Sequence, residues 1–426
     1  MVRERSWVID LEEKQAYNNK DDVFNEDIQW MKTSIFRLPE FVKMIKPSVF
    51  TPKMVAIGPY HHHKSDLQPL EVHKERALYK FLKRGVKSIS VYVREMMGVV
   101  KELQYSYVDL QEEWKNEDNF IKLMITDGCF MLEVMRNDPD HYPRNDPFFS
   151  YHAMMHNAPY MRRDMLILEN QLPILVFKKL VSIQMDVDEE EAECIITELV
   201  IKFFNKGDFI EFPKSTHGFH ALDIYRRSQL FISTESLQFE IRPPPAYVTN
   251  IAVMRSAARQ REAGIKFKWS RSSNLSTISF DSSHGILTLP EITVDYSTEH
   301  VLLNMMALEH IHTEAGSGIS SYVAFMCALV ESAEDVQLLR RHGIVKNGLA
   351  SDEDFSRLFY SISQEVIVDA GCYLQFVMLE VEEYCQRWQT DCRAYLHRVY
   401  YILAAGFITF LTLISTVVSF LQWRNV

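Results

Sequence analysis

Tyr400-Tyr401-Ile402-Leu403-Ala404-Ala405-Gly406-Phe407-Ile408-Thr409-Phe410-Leu411-Thr412-Leu413-Ile414-Ser415-Thr416-Val417-Val418-Ser419-Phe420-Leu421 contains no charged residue. Beyond the two tyrosines its polar groups are small hydroxyls, which bond back to helical carbonyls. About 22 residues rising about 1.5 Å each cover the roughly 30 Å of a bilayer's hydrocarbon core. Trp423 and Arg424 flank one edge, and His397, Arg398, Tyr400 and Tyr401 the other, as interfacial anchors do. The stretch predicts a single transmembrane helix over 399–421 with a short tail, 422–426. A buried core helix is the alternative, and uncharged core helices of this length are rare.

Upstream, no apolar segment opens the chain. Residues 1–25 are charged and polar, so no cleavable signal peptide is expected. A sole span near the C-terminus without a signal reads as a tail anchor. It would leave the body on the cytosolic side of a plasma or internal membrane. The flanking charges say little, because Arg393 and Arg398 precede the span and Arg424 follows it. Asn274-Leu275-Ser276 is a glycosylation acceptor, expected in a surface loop and unmodified in a cytosolic body. In the opposite orientation Cys372, Cys385 and Cys392 would face an oxidising lumen, where they could pair.

A hydrophobic fraction of 47% with 24% charged residues is that of a folded protein. The 57 acidic residues outnumber the 46 basic ones, for a net charge of −11, which argues against nucleic acid as a partner. Six cysteines are scattered with no C-x-x-C pair, a pattern that fits a reducing compartment.

The periodicity is mostly helical. A polar arm over 1–27 leads into a body over 28–398. Pro39, Pro47, Pro52 and Pro59 restrict its first part to extended pieces around one short helix at 39–45. Helices are expected over 71–87, 118–135, 186–204, 248–263 and 300–312, then over 321–330 and from Ser332 to the Gly343 stop. In the first of these, His73, Arg76, Lys80, Arg84 and Lys87 share one face, opposite Leu78, Phe81 and Leu82. A basic face of this kind is ordinarily solvated, and meets anionic lipid or an acidic partner only rarely. Pro243-Pro244-Pro245 is a stiff connector. Between 265 and 290 the period changes to two, which predicts a small antiparallel β element. Leu374, Val377, Val381, Tyr384, Trp388, Tyr395 and Val399 keep a three–four rhythm up to the span. One continuous helix is expected there, packed on the body or, alternatively, self-associating as a stalk.

No motif commits the chain to chemistry. His61-His62-His63 are adjacent, so their side chains do not converge on one ion, and no metal ligand is assigned. Cys129 beside Asp127 lacks the electropositive setting of a reactive thiolate and reads as core. Glu169-Asn170-Gln171 lies between apolar runs and reads as a structural polar network. The acidic run at 186–191 lacks the alternating ligands and glycine of a calcium loop. Gly316-Ser317-Gly318 lacks what a phosphate loop needs. Catalytic, cofactor-binding and metal residues are therefore all assigned as none. An enzyme with an unrecognised site is the alternative, drawing on Asp127, Cys129, Glu133, Glu169 and His61 to His63. Convergence of these in one cleft would favour it.

Several scattered features resemble one plant family, the domain of unknown function 247. They are Ile35, Arg37 and Pro39; Pro52; Ile57-Gly58-Pro59-Tyr60-His61-His62; Lys74; Asp127-Gly128-Cys129-Phe130 with Glu133; and Asp164-Met165-Leu166 with Glu169-Asn170-Gln171-Leu172-Pro173. Further along come Ala263-Gly264-Ile265-Lys266-Phe267, Asn304, Glu309, Ser321-Tyr322, Glu334-Asp335-Val336 and Tyr400-Tyr401. Departures are Phe50, where Tyr is usual, and 400–406, which lacks the Pro-Trp often found before the span. The resemblance implies a helical, membrane-anchored plant protein of no established enzymatic activity. Some grass members are associated with the pollen side of self-incompatibility, and others with growth and stress. The chain is accordingly expected to act by recognising an unknown protein partner.

Overall fold

A computed structural model of the chain describes residues 33–205, 216–231, 254–270, 274–364 and 372–424. The expected arm over 1–27, the start of order at 28–31 and the Pro243 to Pro245 connector lie outside these residues. The described chain is mainly helical, with strands in two small sheets.

Helices α1 (Glu40–Ile45), α2 (Glu71–Arg84), α3 (Ile89–Met97) and α4 (Val100–Tyr105) precede α5 (Glu117–Arg136), against which α2 and α3 pack. The Asn116 side chain caps α5 by accepting from the Asn119 N–H at 3.0 Å, Glu117 and Asp118 suit its positive end, and Asn137 stops it in a left-handed conformation. From Phe120 to Met135 α5 is buried except along the stripe of Lys122 and Thr126. Helices α6 (Tyr151–Asp164), α7 (Ile174–Met185) and α8 (Glu189–Phe204) complete this half. Helix α7 crosses α5 at Gly128, where a Cβ would lie 2.6 Å from Leu180 Cδ1 and 2.9 Å from Val176 Cγ1. The glycine is what lets the two helices approach so closely.

The basic face of α2 departs from the solvated reading. Arg76 pairs with Asp146, and Arg84 reaches Glu133 and Asp138 at 3.0 Å each. Lys80 donates to the His141 carbonyl at 3.0 Å, and the His73 ring stacks on Phe148. The acidic loop over 137–149 folds back across that face, a contact distant in sequence that helical periodicity does not register.

The other half contains α9 (Ala221–Gln229), α10 (Ala257–Glu262), α11 (Thr298–Ile311), α12 (Gly318–Leu329), α13 (Ala333–Arg341) and α14 (Asp352–Ser363). Strands β1 (Lys266–Ser270), β2 (Ser279–Asp281) and β3 (Ile286–Pro290) form a sheet in the order β1-β3-β2. The β2–β3 hairpin is antiparallel, but β1 joins the other edge of β3 in parallel, Phe267 opposite Leu287. A second sheet pairs β4 (Ile292–Val294) with β5 (Val345–Asn347), also in parallel. The expected purely antiparallel element is thus a mixed sheet beside a parallel pair. Alternation fixes which side chains are buried, not which edge a strand meets.

The last helix, α15, runs unbroken from Tyr373 to Arg424, 52 residues, as the three–four rhythm predicts. Leu374, Val377, Met378, Val381 and Cys385 are buried in the body, so its first turns pack on the chain's own core. Trp388 closes over Gly264, whose φ of +85° and lack of a Cβ (one would lie 3.1 Å from Trp388 Nε1) both call for glycine. Among the described residues no helix is long and apolar enough to cross a membrane. By that measure the expected span over 399–421 is not supported. The side chains of Tyr401, Ala404 and residues 417–421 within it lie outside the description.

Two further expectations change. Asn274 is not on a surface loop: it is 5% exposed, and its amide donates to the Phe231 carbonyl. Its burial removes it as a reporter of membrane sidedness. All six cysteines are free. Cys385 and Cys392 are seven residues apart on α15, about 10 Å along the axis, too far for a disulfide in any compartment.

Candidate functional site

The polar residues that stand out in the sequence act on backbone, not on one another. Residues 53–63 form an irregular segment through the core, whose N–H groups need acceptors. Asp164 Oδ2, at the end of α6, accepts from the N–H groups of Lys53, Met54 and Val55 at 2.9, 2.6 and 3.1 Å. Asn170 accepts from the Ile57 N–H at 2.7 Å and donates to the Val55 and Asp164 carbonyls. Asp127 accepts from the Gly58 N–H at 2.8 Å. Lys74, wholly buried, donates to the Ala56 carbonyl at 2.5 Å and pairs with Asp127 and Glu71, each at 2.8 Å. Burial opposes the ammonium charge, and the two carboxylates overcome it, so Lys74 is held above the usual lysine range. Burial likewise pushes the Asp127 carboxyl up against the pull of Lys74, whose ammonium lies 2.8 Å away.

Similar clamps recur through the chain. Glu169 accepts from the Leu38 N–H at 2.6 Å and pairs with Lys43 at 2.8 Å. Gln171 donates to the Met165 and Ile167 carbonyls and accepts from the Leu222 N–H. Asn304 accepts from the Leu168 N–H at 3.0 Å and donates to the Val49 carbonyl. Glu309 receives the Ile319 and Ser320 N–H groups and Arg226. Asp335 closes the cap of α13 with Ser332 and accepts from the Ala258 N–H at 2.7 Å. Each holds together segments far apart in the sequence.

Of the residues of the enzyme alternative, only His62 and Asp127 border one cleft, and the others do not join them there. Cys129 is core, its thiol pushed well up by burial. Glu133 is taken by Arg84, Arg136 and the Tyr142 hydroxyl. His61, 6% exposed, sits 3.6 Å from Glu169, with burial lowering it to about 3, so its ring is neutral. His62 and His63 instead flank the Trp114 ring, at 5.2 and 5.7 Å, and His63 reaches Glu113 at 2.7 Å.

Beside Trp114 and His62 opens a groove of about 590 Å³ between α2, α3 and the start of α5. Its wall carries Glu71, Glu75, Glu113, Asp118 and the edge of Asp127, against one lysine, Lys122. Leu78, Tyr79, Ile89, Val93 and Met97 supply its apolar part. Glu71 is tied to Lys74 and Glu113 to His63, but Glu75 and Asp118 are exposed and have no basic partner among the described residues. Sequence reasoning did not single out Glu75, Trp114 or Asp118. They come from three separate elements, and no local spacing joins them.

Residues 35–421 match the family DUF247, described as a plant protein of unknown function. The chain belongs to this family. Two Arabidopsis thaliana proteins are similar to this DUF247 chain along most of its length. UPF0481 protein At3g47200 is 28% identical, with 92% of this chain and 87% of that protein covered. Putative UPF0481 protein At3g02645 is 22% identical, with 91% and 88% covered. No solved structure matches. The residues that carried the DUF247 resemblance are for the most part the clamps described above. They build the body, while the groove borders them.

Proposed function

We propose that this DUF247 chain is a membrane-anchored recognition protein, its body held on the cytosolic face by α15 and its groove receiving a basic, partly apolar segment of a protein partner. What carries the anchor is the exposure of α15. Ile402, Leu403, Phe407, Ile408, Phe410, Leu411, Leu413 and Ile414 are each 44% or more exposed. At 100° per residue these positions spread over about 240° of the helix's circumference, wider than one protein face covers. They sit within the charge-free run from Tyr400 to Leu421. The Thr409, Thr412 and Thr416 hydroxyls bond to carbonyls of their own helix, as hydrocarbon surroundings demand. The free cysteines suit a reducing side.

Support for the recognition half is the charge of the groove. Glu75 and Asp118 are uncommitted beside an apolar wall, which favours a cationic, amphipathic segment. A pollen-side role in self-incompatibility, implied by the family resemblance, is proposed as one such recognition function. The test uses defined peptides. A Lys/Leu amphipathic peptide should bind the full chain, and a Glu/Leu peptide of the same pattern should not. Glu75→Lys with Asp118→Lys should abolish the first interaction. Equal binding of both peptides, or no effect of the reversal, would remove the groove from the account.

A further inference from the structure

The two halves of the body meet at a second cavity, of about 400 Å³. It lies where the end of α6, the end of α8, α9, β1, β4 and the start of α11 come together. Its polar groups are unequally committed. Of its carboxylates, Glu291 pairs with Lys346 at 2.7 Å, and Asp295 accepts from the Ser297 N–H and hydroxyl at 2.8 and 2.6 Å. Its donors are left over. Arg162 spends only its Nε–H, on the Phe203 carbonyl at 2.6 Å, and its other N–H groups have no acceptor among the described residues. Arg163 donates one terminal N–H to the Ser48 carbonyl at 2.7 Å, while its buried Nε–H has no partner. The buried Asn205 amide nitrogen also lacks one. Neither arginine makes an ion pair with a carboxylate among the described residues, in a chain whose net charge is −11.

Surplus donors on two guanidiniums call for a ligand whose polar end only accepts and carries negative charge, and a planar fork suits a carboxylate or phosphate. The rest of the wall is apolar and aromatic. Leu166, Phe204, Leu302 and Met305 line it, and Trp269 stands 42% exposed at its edge. We infer that this cavity binds a small amphipathic organic anion, its acidic group on Arg162 and Arg163 and its flat apolar body against Trp269. The inference does not rest on the acidic groove or on the membrane anchor, and it assigns a ligand class of opposite charge.

The experiment titrates the full chain in neutral detergent with naphthalene-2-carboxylate, followed by calorimetry and by tryptophan fluorescence. Naphthalene-2-methanol, 2-naphthylmethylammonium and inorganic phosphate are the comparison arms. The carboxylate should bind saturably, at least tenfold tighter than the alcohol, and the ammonium should not bind. Competition by inorganic phosphate would place phosphate-bearing ligands in the same class; its failure would restrict the class to carboxylates. Arg162→Met should weaken carboxylate binding at least tenfold and Arg162→Lys less. Lys346→Met, at a partly exposed ion pair of a kind that contributes about 0–1 kcal/mol to stability, frees Glu291 in the wall and should also weaken it. Trp269→Ala should remove most of the fluorescence change. Alcohol binding as tight as carboxylate, no carboxylate binding, or binding unchanged in both Arg162→Met and Lys346→Met would overturn the inference.

Discussion

Asp127→Asn isolates one clamp with little change of shape. The amide oxygen still accepts from the Gly58 N–H, but the charge facing Lys74 at 2.8 Å is gone. Lys74 is wholly buried and cannot reach water. Breaking a buried pair by removing one partner costs about 3–5 kcal/mol, because the other charge is left uncompensated. Here Glu71 remains at 2.8 Å and the Ala56 carbonyl still accepts, so the expected loss is at the low end, about 3 kcal/mol. Lys74→Met in the Asp127→Asn background removes the stranded charge and should recover at least half of that loss. The assay is urea denaturation of the full chain in micelles at pH 7, read by tryptophan fluorescence. A cost below about 1 kcal/mol, or single-mutant losses that simply add in the double mutant, would refute the reasoning that this pair pins the 53–63 segment.

Acid should destabilise the fold before its carboxylates titrate. Burial lowers His61 to about 3 and His220 to about 4, so the folded chain refuses protons that the unfolded chain takes up near pH 6.5. Their contribution is whole above pH 6.5 and is lost as the pH falls toward 4, at up to about 2.7 kcal/mol per pH unit for the two together. Burial lowers His62, His73, His300 and His312 as well, so denaturation midpoints between pH 7.5 and 5 read their sum; His220→Gln should reduce the slope by up to about 1.4 kcal/mol per pH unit, and a flat profile would contradict it. Gly128→Val should cost about 2–3 kcal/mol by overpacking α5 against α7, whereas a neutral result would mean the helices can separate freely.

The helices that were read, among them α2, α5, α8, α11, α12 and α13, were legible because their signals are local, whereas α3, α4, α6, α7 and α9 were not singled out. Asn116 before α5, Asp188 before α8 and Ser332 with Asp335 at α13 mark ends within a few residues of where they fall. The polar run at Glu169 to Gln171 was legible as a network, since three such side chains between apolar runs must find partners. Which partners was not: the bonds join residues more than 100 positions apart, as from Asp164 to Lys53. Contacts 54 to 70 positions apart likewise hid the pairing of the α2 basic face with the loop over 137–149, while the parallel edge of β1, 20 residues from its partner, was hidden because alternation does not say which edge a strand meets. Asn274 misled because its sequence pattern carries no record of burial.

The central claim is that the body hangs from the charge-free end of α15. Membranes from plant cells expressing the full chain, or a chain ending at residue 399, are washed in alkaline carbonate, and pellet and supernatant are compared. The account predicts that the full chain stays in the pellet and the shortened chain, which keeps the turns of α15 buried in the body, moves to the supernatant. Release of the full chain by carbonate, or retention of the shortened one, would contradict it.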